Sequence, residues 1–352
     1  MESAIPDRLR CPRTRPAGHA PDYAPPNAAY VARFSEVQQQ TTMAFLGAQY
    51  RSAEGEALAR SAVRLWAQTG EHAPDRHDLA LGTDALGYHT LVWAAYWRDP
   101  CRFDGWKSHS RFTPWWSSDE RLEEPCGWFM EVAQPRVERF ETLFSSPGGF
   151  EGAGHLADRM SGEIREHGYW GSMRDRLPAS QADALTGSGS LMLSRPASGS
   201  RVAFGGTQNM ALIRSGQDWA ATQGQERDLY LREVEPVLCA GMGFLDSPGG
   251  LAAGCLASRY LRVVDDMFQP TARSYGLSWW SELGQLEQWA KGHSTHSSIF
   301  GTFMRMVEAM DFKVALRLSH EVAVLRATEQ RFEYLNCHEG TGLLRVAQSV
   351  TA

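Results

Sequence analysis

Apolar residues along the chain alternate between the spacing of strands and the spacing of helices. In the N-terminal part, continuous apolar runs predict strands at 43–50, 90–97 and 127–132. An apolar stripe at helical spacing predicts a helix over 54–69, and a further helix precedes the strand at 127–132. These elements form a first set of alternating strands and helices.

A second set of elements follows two loops rich in glycine and serine, near 145–154 and 186–200. The same criteria predict strands at 209–215, 258–264 and 275–280, and helices near 225–245 and from about 281. Both sets mix helices with strands, so the pattern predicts the α+β class.

A weak internal repeat accompanies this order. Segments 96–110 and 279–294 each contain a tryptophan that ends a strand, an apolar residue six positions later and a second tryptophan nine positions later. We therefore expect two ferredoxin-like halves, about 40–135 and 200–330, whose sheets form a β-barrel core flanked by helices. A pocket is expected where the two halves meet.

The first 26 residues contain six prolines and are otherwise polar. Proline sustains neither a helix interior nor a central strand, so we expect an extended arm over about residues 1–30. Such an arm covers a surface of the domain or a second subunit.

Composition excludes some functions. Against 41 acidic residues the chain has 35 basic ones, without a basic run that could follow a nucleic-acid backbone or an anionic membrane. It has no apolar segment of transmembrane length and no apolar signal core, which predicts a cytoplasmic protein. The six cysteines show no CxxC spacing and are expected to be free thiols. Twelve tryptophans suit either core packing or the wall of an apolar cavity.

His296 begins a helical pattern in which Ile299, Phe300, Phe303 and Val307 lie on the same face. One interpretation is a core histidine bonded to a backbone carbonyl. The other is an axial ligand of haem iron, because haem needs a single imidazole that projects into an apolar slot. In that case His293 remains outside as a helix cap or surface residue.

His320 lies in an alternating segment, 315–324, in which Leu318 and Val322 fall on its side. Its side chain is therefore expected to point inward. It is either a hydrogen-bonded core histidine or a general acid and base, a role that suits histidine near neutral pH.

Two polar segments remain open to interpretation. The first, residues 162–176, contains His167, Arg174, Asp175 and Arg176, and surface salt bridges explain most clusters of this kind. In the second, 212–219, Ser215 ends a strand, but it lacks the GxSxG pattern of a hydrolase nucleophile.

Several blocks of this sequence together resemble the haem-dependent aldoxime dehydratases. The resemblance runs from "CPRT" near the N-terminus to the C-terminal "FEYLNCHEGTGLLR", and its main blocks are "EHGYWGSMRDR", "LIRSGQDW", "THSSIF" and "RLSHEV". It implies a lyase that dehydrates aldoximes, R–CH=N–OH, to nitriles. It also implies a b-type haem whose iron is ferrous in the active form, and a homodimer whose subunit, residues 1–352, is one haem-binding domain of the dimeric α+β barrel type.

The resemblance also implies roles for particular residues. His296 of "THSSIF" matches the axial haem ligand, and His320 of "RLSHEV" matches the distal acid–base residue. Ser215 and Arg176 match residues that hold the substrate hydroxyl, and Glu141 of "RFETLF" matches a carboxylate of the distal site. The small-molecule substrate is thus an aldoxime. A haem peroxidase-like enzyme on the same fold and a non-catalytic haem sensor are the alternative functions.

Overall fold

The computed structural model describes residues 1–189, 191–194 and 201–349. Part of the loop predicted at 186–200, namely residue 190 and residues 195–200, lies outside this range. Within it, helices pack against one large antiparallel sheet, so the predicted α+β class is confirmed.

The strands of the described residues are labelled β1 to β14 in chain order. They span Ala32–Arg33, Thr42–Tyr50, Arg76–Thr83, His89–Trp97, Gly127–Ala133, Phe140–Phe144, Arg159–Met160, Met192–Ser194, Arg201–Gly205, Met210–Asp218, Cys255–Val264, Pro270–Trp280, Arg317–Leu325 and Gln330–Leu335.

The α-helices are labelled α1 to α11 in the same way. They span Ala53–Trp66, Pro100–His109, Phe112–Ser117, Glu120–Glu123, Ser172–Arg176, Gly224–Leu229, Glu235–Leu245, Pro248–Ala252, Leu283–Gly292, Ser294–Ala309 and Leu344–Ser349. Short 3₁₀-helices cover Asp7–Leu9, Val137–Arg139, Gly152–Leu156, Pro178–Gln181 and Ala327–Glu329.

Twelve strands form the main sheet, in the order β6-β13-β10-β12-β11-β3-β4-β2-β5-β14-β9-β8. Two groups of four strands within it share one arrangement. In chain order, β2, β3, β4 and β5 form the first group and β10, β11, β12 and β13 the second. In each group the fourth strand lies beside the first, then come the third and the second, and helices connect the first strand to the second and the third to the fourth.

The sheet curves so that one face of both groups encloses a common core. Phe45 of β2, Phe129 of β5, Leu212 of β10 and Leu277 of β12 all belong to one buried apolar cluster. A polar contact also crosses the interior, because the Tyr96 hydroxyl of β4 donates to the Glu321 carboxylate of β13 at 2.9 Å. The opposite, outer face of each group is covered by helices.

Several elements differ from the sequence prediction. The helix predicted near 225–245 is interrupted by a π-helical turn, Tyr230–Val234. Pro236 has no N–H to donate to the carbonyl of Arg232, so the regular hydrogen-bond ladder cannot continue there. In the main sheet, strands β3, β6, β8, β9 and β14 were absent from the prediction. The helix predicted from about 281 is α9, and the helical pattern predicted to begin at His296 lies in a second helix, α10.

The N-terminal arm packs on its own chain. Glu2 forms a parallel bridge with Ile164, and backbone N–H groups of Thr14 and Arg15 donate to the carbonyl of Gln181. All six cysteines are free thiols, as predicted. No helix of the described ranges has the length and apolarity needed to cross a membrane.

Candidate active site

Ser215 and His320 lie directly opposite each other on the adjacent antiparallel strands β10 and β13. Opposed residues of such a pair project to the same face, so the two side chains are neighbours. Val322 and Val324 share this face and pack with the helices, whereas Glu321 points into the enclosed core. The side chain of His320 was predicted to point inward. It points toward the layer between the sheet and the helices, and not toward the interior of the barrel.

Glu141 and Arg176 form a buried ion pair beside His320. The Arg176 guanidinium donates from Nε to Glu141 Oε2 at 2.7 Å and from Nη2 to Oε1 at 3.2 Å. The His320 Nε2 atom lies 2.8 Å from Arg176 Nη2 and 2.9 Å from Glu141 Oε1. Arg176 and Glu141 are almost entirely buried, which fixes the imidazole of His320 from one side. The structure therefore brings together all four residues that the resemblance assigns to the distal site.

Electrostatics of this cluster favour an ionised carboxylate. Burial alone would raise the pKa of Glu141, but the charges and hydrogen bonds of Arg176 and His320 outweigh it and hold that pKa below its ordinary value. Burial lowers the pKa of the nearby His167 to about 4, and the positive charges of Arg176 and His320 act in the same direction. His167 is thus neutral near pH 7.

His296 lies in the first turn of α10, between two tryptophan rings. Its ring centroid is 4.8 Å from that of Trp289 and 5.7 Å from that of Trp170, both edge-to-face. Its Nδ1 is buried without a hydrogen-bond partner among the described residues. Burial lowers the pKa of His296, which favours the neutral form, the form in which an imidazole can bind a metal ion.

His293 has a separate role. As expected, it caps the helix: its Nδ1 accepts from the backbone N–H of Thr295, and its ring stacks on Phe244 at a centroid distance of 4.3 Å. The two neighbouring histidines are therefore distinct, because only His296 faces the tryptophans Trp170 and Trp289.

Two apolar clusters cover this face of the sheet, one on each side of the distal residues. One cluster contains Val322 of β13 and Ile299 of α10, and a second contains Leu318 of β13 and Phe303 of α10. His320 lies between Leu318 and Val322 on the strand, and His296 lies one helical turn before Ile299. The axial candidate and the distal cluster thus flank the same apolar layer.

Comparison with known proteins identifies the family. The family model described as haem-containing dehydratase matches residues 44–343. The chain belongs to the haem-containing dehydratase family. The resemblance inferred from the sequence blocks is therefore confirmed, together with haem as the cofactor.

Individual relatives of this haem-containing dehydratase are similar over almost their full length. The aliphatic aldoxime dehydratase of Rhodococcus erythropolis is 42% identical over 355 residues, 99% of each chain. The phenylacetaldoxime dehydratase of Bacillus sp. strain OxB-1 is 32% identical over 331 residues, 92% of each chain. A crystal structure of an aldoxime dehydratase in complex with butyraldoxime matches with a TM-score of 0.92 at 42% identity, covering 98% of this chain and 96% of that one.

The residues present fit a haem group. A lone neutral imidazole with an unpartnered Nδ1 lies against an apolar, aromatic layer, and Trp170 and Phe300 on that layer remain about half exposed, at 47% and 49%. A porphyrin supplies four nitrogen ligands itself, so the protein needs to add only an axial ligand and apolar contacts. His296 meets the first requirement and its surroundings the second.

Sequence reasoning overlooked some residues of this site. Arg176 also donates from Nη1 to the backbone carbonyl of Glu166 at 2.8 Å and to Ser172 Oγ at 3.2 Å. Glu166 and Ser172 fall within the quoted block "EHGYWGSMRDR", so the family resemblance of that block was the available signal. Arg174, in contrast, pairs with Glu287 at 2.6 Å, as a salt bridge near the surface.

Proposed function

We propose that the protein is a haem-dependent aldoxime dehydratase, a lyase that converts R–CH=N–OH to R–C≡N and water. The observation that carries this proposal is the cluster of Ser215, His320, Arg176 and Glu141, which flanks the same apolar layer as His296. Membership of the haem-containing dehydratase family supports it.

His296 would hold the haem iron through its imidazole, and Trp170 and Trp289 pack against the ring and fix its position. Ferrous haem, when bound there, would supply an electron-rich iron for chemistry at the oxime N–O bond. The apolar side chains on this face, Ile299 and Phe303 among them, exclude water from that layer.

His320 is the proposed general acid and base, acting through Nδ1. Its Nε2 is held between Glu141 and Arg176, while Nδ1 has no partner among the described residues. With both nitrogens protonated, Nε2–H donates to the Glu141 carboxylate and Nδ1–H is available to the departing hydroxyl. After water has formed, Nδ1 accepts the hydrogen released from carbon, and no net proton is consumed.

Ser215 and Arg176 are the proposed ligands of the oxime oxygen. The Ser215 hydroxyl makes no hydrogen bond among the described residues and lies opposite His320, so it can donate to the substrate. Arg176 holds its charge beside His320 and stabilises the negative charge that develops on oxygen as the N–O bond breaks.

Aliphatic aldoximes are the proposed substrate class. The aliphatic aldoxime dehydratase of Pseudomonas chlororaphis is 43% identical to this chain over 351 residues, more than the 32% of the phenylacetaldoxime relative. Butyraldoxime is therefore the first substrate to test.

The wider organisation of the protein belongs to the same proposal. The repeated order of strands β2 to β5 and β10 to β13 supports two ferredoxin-like halves, about 40–135 and 200–330, within a single haem-binding domain. We also propose a cytoplasmic homodimer, the assembly implied by the sequence resemblance.

The test is an anaerobic assay of the purified, dithionite-reduced protein with butyraldoxime and phenylacetaldoxime. We expect a Soret band that shifts when the aldoxime is added, nitrile as product, and faster turnover of butyraldoxime. Haem without nitrile from either substrate, together with peroxide turnover, would contradict the proposal in favour of a peroxidase. Faster turnover of phenylacetaldoxime would contradict the substrate class alone.

A further inference from the structure

Arg176 lies at the end of a short helix in a mostly irregular segment, 161–181, so its position needs outside support. Within this segment its partners are the Ser172 hydroxyl and the carbonyl of Glu166. The orientation of the guanidinium toward His320 is therefore set jointly by Glu141 of β6 and by the backbone at Glu166. What holds that backbone is the N-terminal arm.

Glu166 is buried, with 7% of its surface exposed, and its carboxylate is occupied by the arm. Ser3 Oγ donates to Oε1 at 3.0 Å and the backbone N–H of Ala4 donates to Oε2 at 2.7 Å. Within the described ranges no lysine or arginine forms an ion pair with it. Because an unsatisfied buried carboxylate is costly, Glu166 and the arm depend on each other.

Arg33 holds the same two arm residues from the other side. Its Nη1 donates to the carbonyl of Ala4 at 2.5 Å and its Nη2 to the carbonyl of Ser3 at 2.6 Å. Ser3 and Ala4 are thus bound along both polar edges, by a carboxylate and a guanidinium. Ala4 also belongs to a buried apolar cluster that contacts Leu143, the residue of β6 that lies opposite His320.

A second part of the arm fixes the residue next to Arg176. The Asp175 carboxylate accepts from the backbone N–H of Gly18 at 2.7 Å and from the Tyr169 hydroxyl at 2.8 Å, and Arg13 lies 3.5 Å away. Tyr23 of the arm donates to the carbonyl of His167 at 2.8 Å. The arm therefore holds the segment on both sides of Arg176.

The arm also forms the outer wall of a cavity of about 550 Å³ that borders Glu141 and Arg176. Residues 4–10 of the arm line this cavity, together with Arg33. Displacing the arm would expose the ion pair to bulk water, which weakens its hold on His320.

We propose that Glu166 is a positioning residue for the dehydratase site, and that the arm places Arg176 through it. The inference rests on the proposed function, in which Arg176 binds the oxime oxygen. Glu166 touches neither substrate nor haem. The carboxylate of Glu166 binds the arm, and its backbone carbonyl accepts a hydrogen bond from Arg176, so Glu166 links the two.

The test compares the full-length variants Glu166→Ala, Glu166→Gln and Glu163→Ala, each loaded with haem. Glu163 is the matched control, because it is an exposed glutamate of the same segment whose side chain has no hydrogen bond or ion pair in the described part of the chain. Three quantities are measured: deuterium uptake of peptides covering 1–10 and 164–181, the C–O stretching band of the ferrous carbon monoxide complex, and kcat and KM for butyraldoxime.

For Glu166→Ala we expect faster exchange in both peptides, a shift of the C–O band as the Arg176 charge moves away, and a kcat about 10-fold or more below wild type. Glu166→Gln keeps one acceptor oxygen and should fall between, while Glu163→Ala should match wild type. Faster exchange with an unchanged C–O band and kcat would overturn the proposal and leave the arm a purely structural role. Unchanged exchange would overturn it as well.

Two safeguards keep the outcome decisive. If Glu166→Ala does not fold, Ser3→Ala removes one of the two contacts to the Glu166 carboxylate from the arm side, and the same readouts apply. If wild-type protein makes no nitrile, the proposed function fails, but exchange and the C–O band still decide whether the arm controls the position of Arg176.

Discussion

The two outer faces of the sheet are covered differently, although the strands beneath them follow the same order. On the first face, helices α1 to α3 enclose an aromatic core in which most side chains are fully buried. Seven of the twelve tryptophans lie there: Trp66, Trp93, Trp97, Trp106, Trp115, Trp116 and Trp128. On the second face, helices α7, α9 and α10 leave side chains such as Trp170 and Phe300 about half exposed.

The corresponding fourth strands show what this difference means. On the first face β5 presents Trp128, Met130 and Val132, all buried. On the second face β13 presents His320 between Leu318 and Val322. One arrangement of strands therefore carries a closed core on one side and, on the other, an apolar layer with polar residues in its middle. Stability should depend mainly on the first face and haem chemistry on the second.

The largest effect on that chemistry is expected from His296→Ala. Removing the only proposed axial imidazole should abolish tight haem binding, measured by the Soret absorbance per protein after reconstitution, while the apoprotein stays folded. His293→Ala, which removes the neighbouring cap, should keep its haem. If His293→Ala loses haem and His296→Ala does not, the axial assignment is wrong.

His320→Ala should retain haem but lower kcat by about 10²- to 10⁴-fold, the usual contribution of general acid–base catalysis. The assay is initial nitrile formation at saturating butyraldoxime, with the substrate-induced Soret shift as a separate measure of binding. Activity within twofold of wild type would assign proton transfer to another group. His167, whose pKa is lowered by burial and by the charges of Arg176 and His320, would then be the first candidate.

Ser215→Ala should lower kcat by about 10²-fold if its hydroxyl donates mainly in the transition state. Ser319→Ala is the control. Ser319 is the neighbour of His320 on β13 and lies opposite Gly216, so its side chain projects to the other face of the sheet. Equal rates for Ser215→Ala and wild type would reduce Ser215 to a packing residue of β10.

Sequence predicted the strands made of continuous apolar runs more readily than the strands that carry buried charges. Strands such as β2 and β4 are continuous apolar runs, because both of their faces are buried. Three of the unpredicted strands carry buried charges instead: Asp78 on β3, Glu141 on β6 and Glu333 on β14. Their partners, among them Arg214 and Arg176, come from distant parts of the chain, and a periodicity reading treats such charges as exposed.

The site itself came from the family blocks and not from spacing. Alternation placed His320 on one face of a strand, but nothing in the local pattern distinguished Arg176 from Arg174. Their difference is tertiary: Arg176 meets Glu141 and His320 in a buried cluster, whereas Arg174 meets Glu287 near the surface. Arg176 is also held by the backbone carbonyl of Glu166, and a contact to a backbone atom leaves no pattern in the amino-acid sequence.

A change on the first face should affect stability and spare catalysis. Trp106 is 3% exposed and its ring lies 5.4 Å from Trp93 and 4.7 Å from Phe112. Trp106→Phe should lower the free energy of unfolding by about 1–3 kcal/mol through lost packing, measured by denaturant titration. Haem content and kcat at low temperature should stay at wild-type values. A parallel loss of haem would mean that the two faces are coupled through the shared core.

The smallest effect concerns pH and returns to the second face. His167 has a pKa of about 4 in the folded protein against an ordinary value of 6.5, chiefly because it is buried, with Arg176 and His320 adding positive charge. As pH falls from about 6.5 to 4, the unfolded chain binds a proton at His167 and the folded protein does not. The wild type therefore loses stability between these two pH values. Above about pH 6.5 this histidine has no effect on the pH dependence of stability. His167→Asn lacks this titration. The difference in Tm between variant and wild type should therefore be constant above about pH 7 and move in favour of the variant toward pH 4. A difference that stays constant over the whole range would show that the folded protein accommodates a charged His167 beside Arg176.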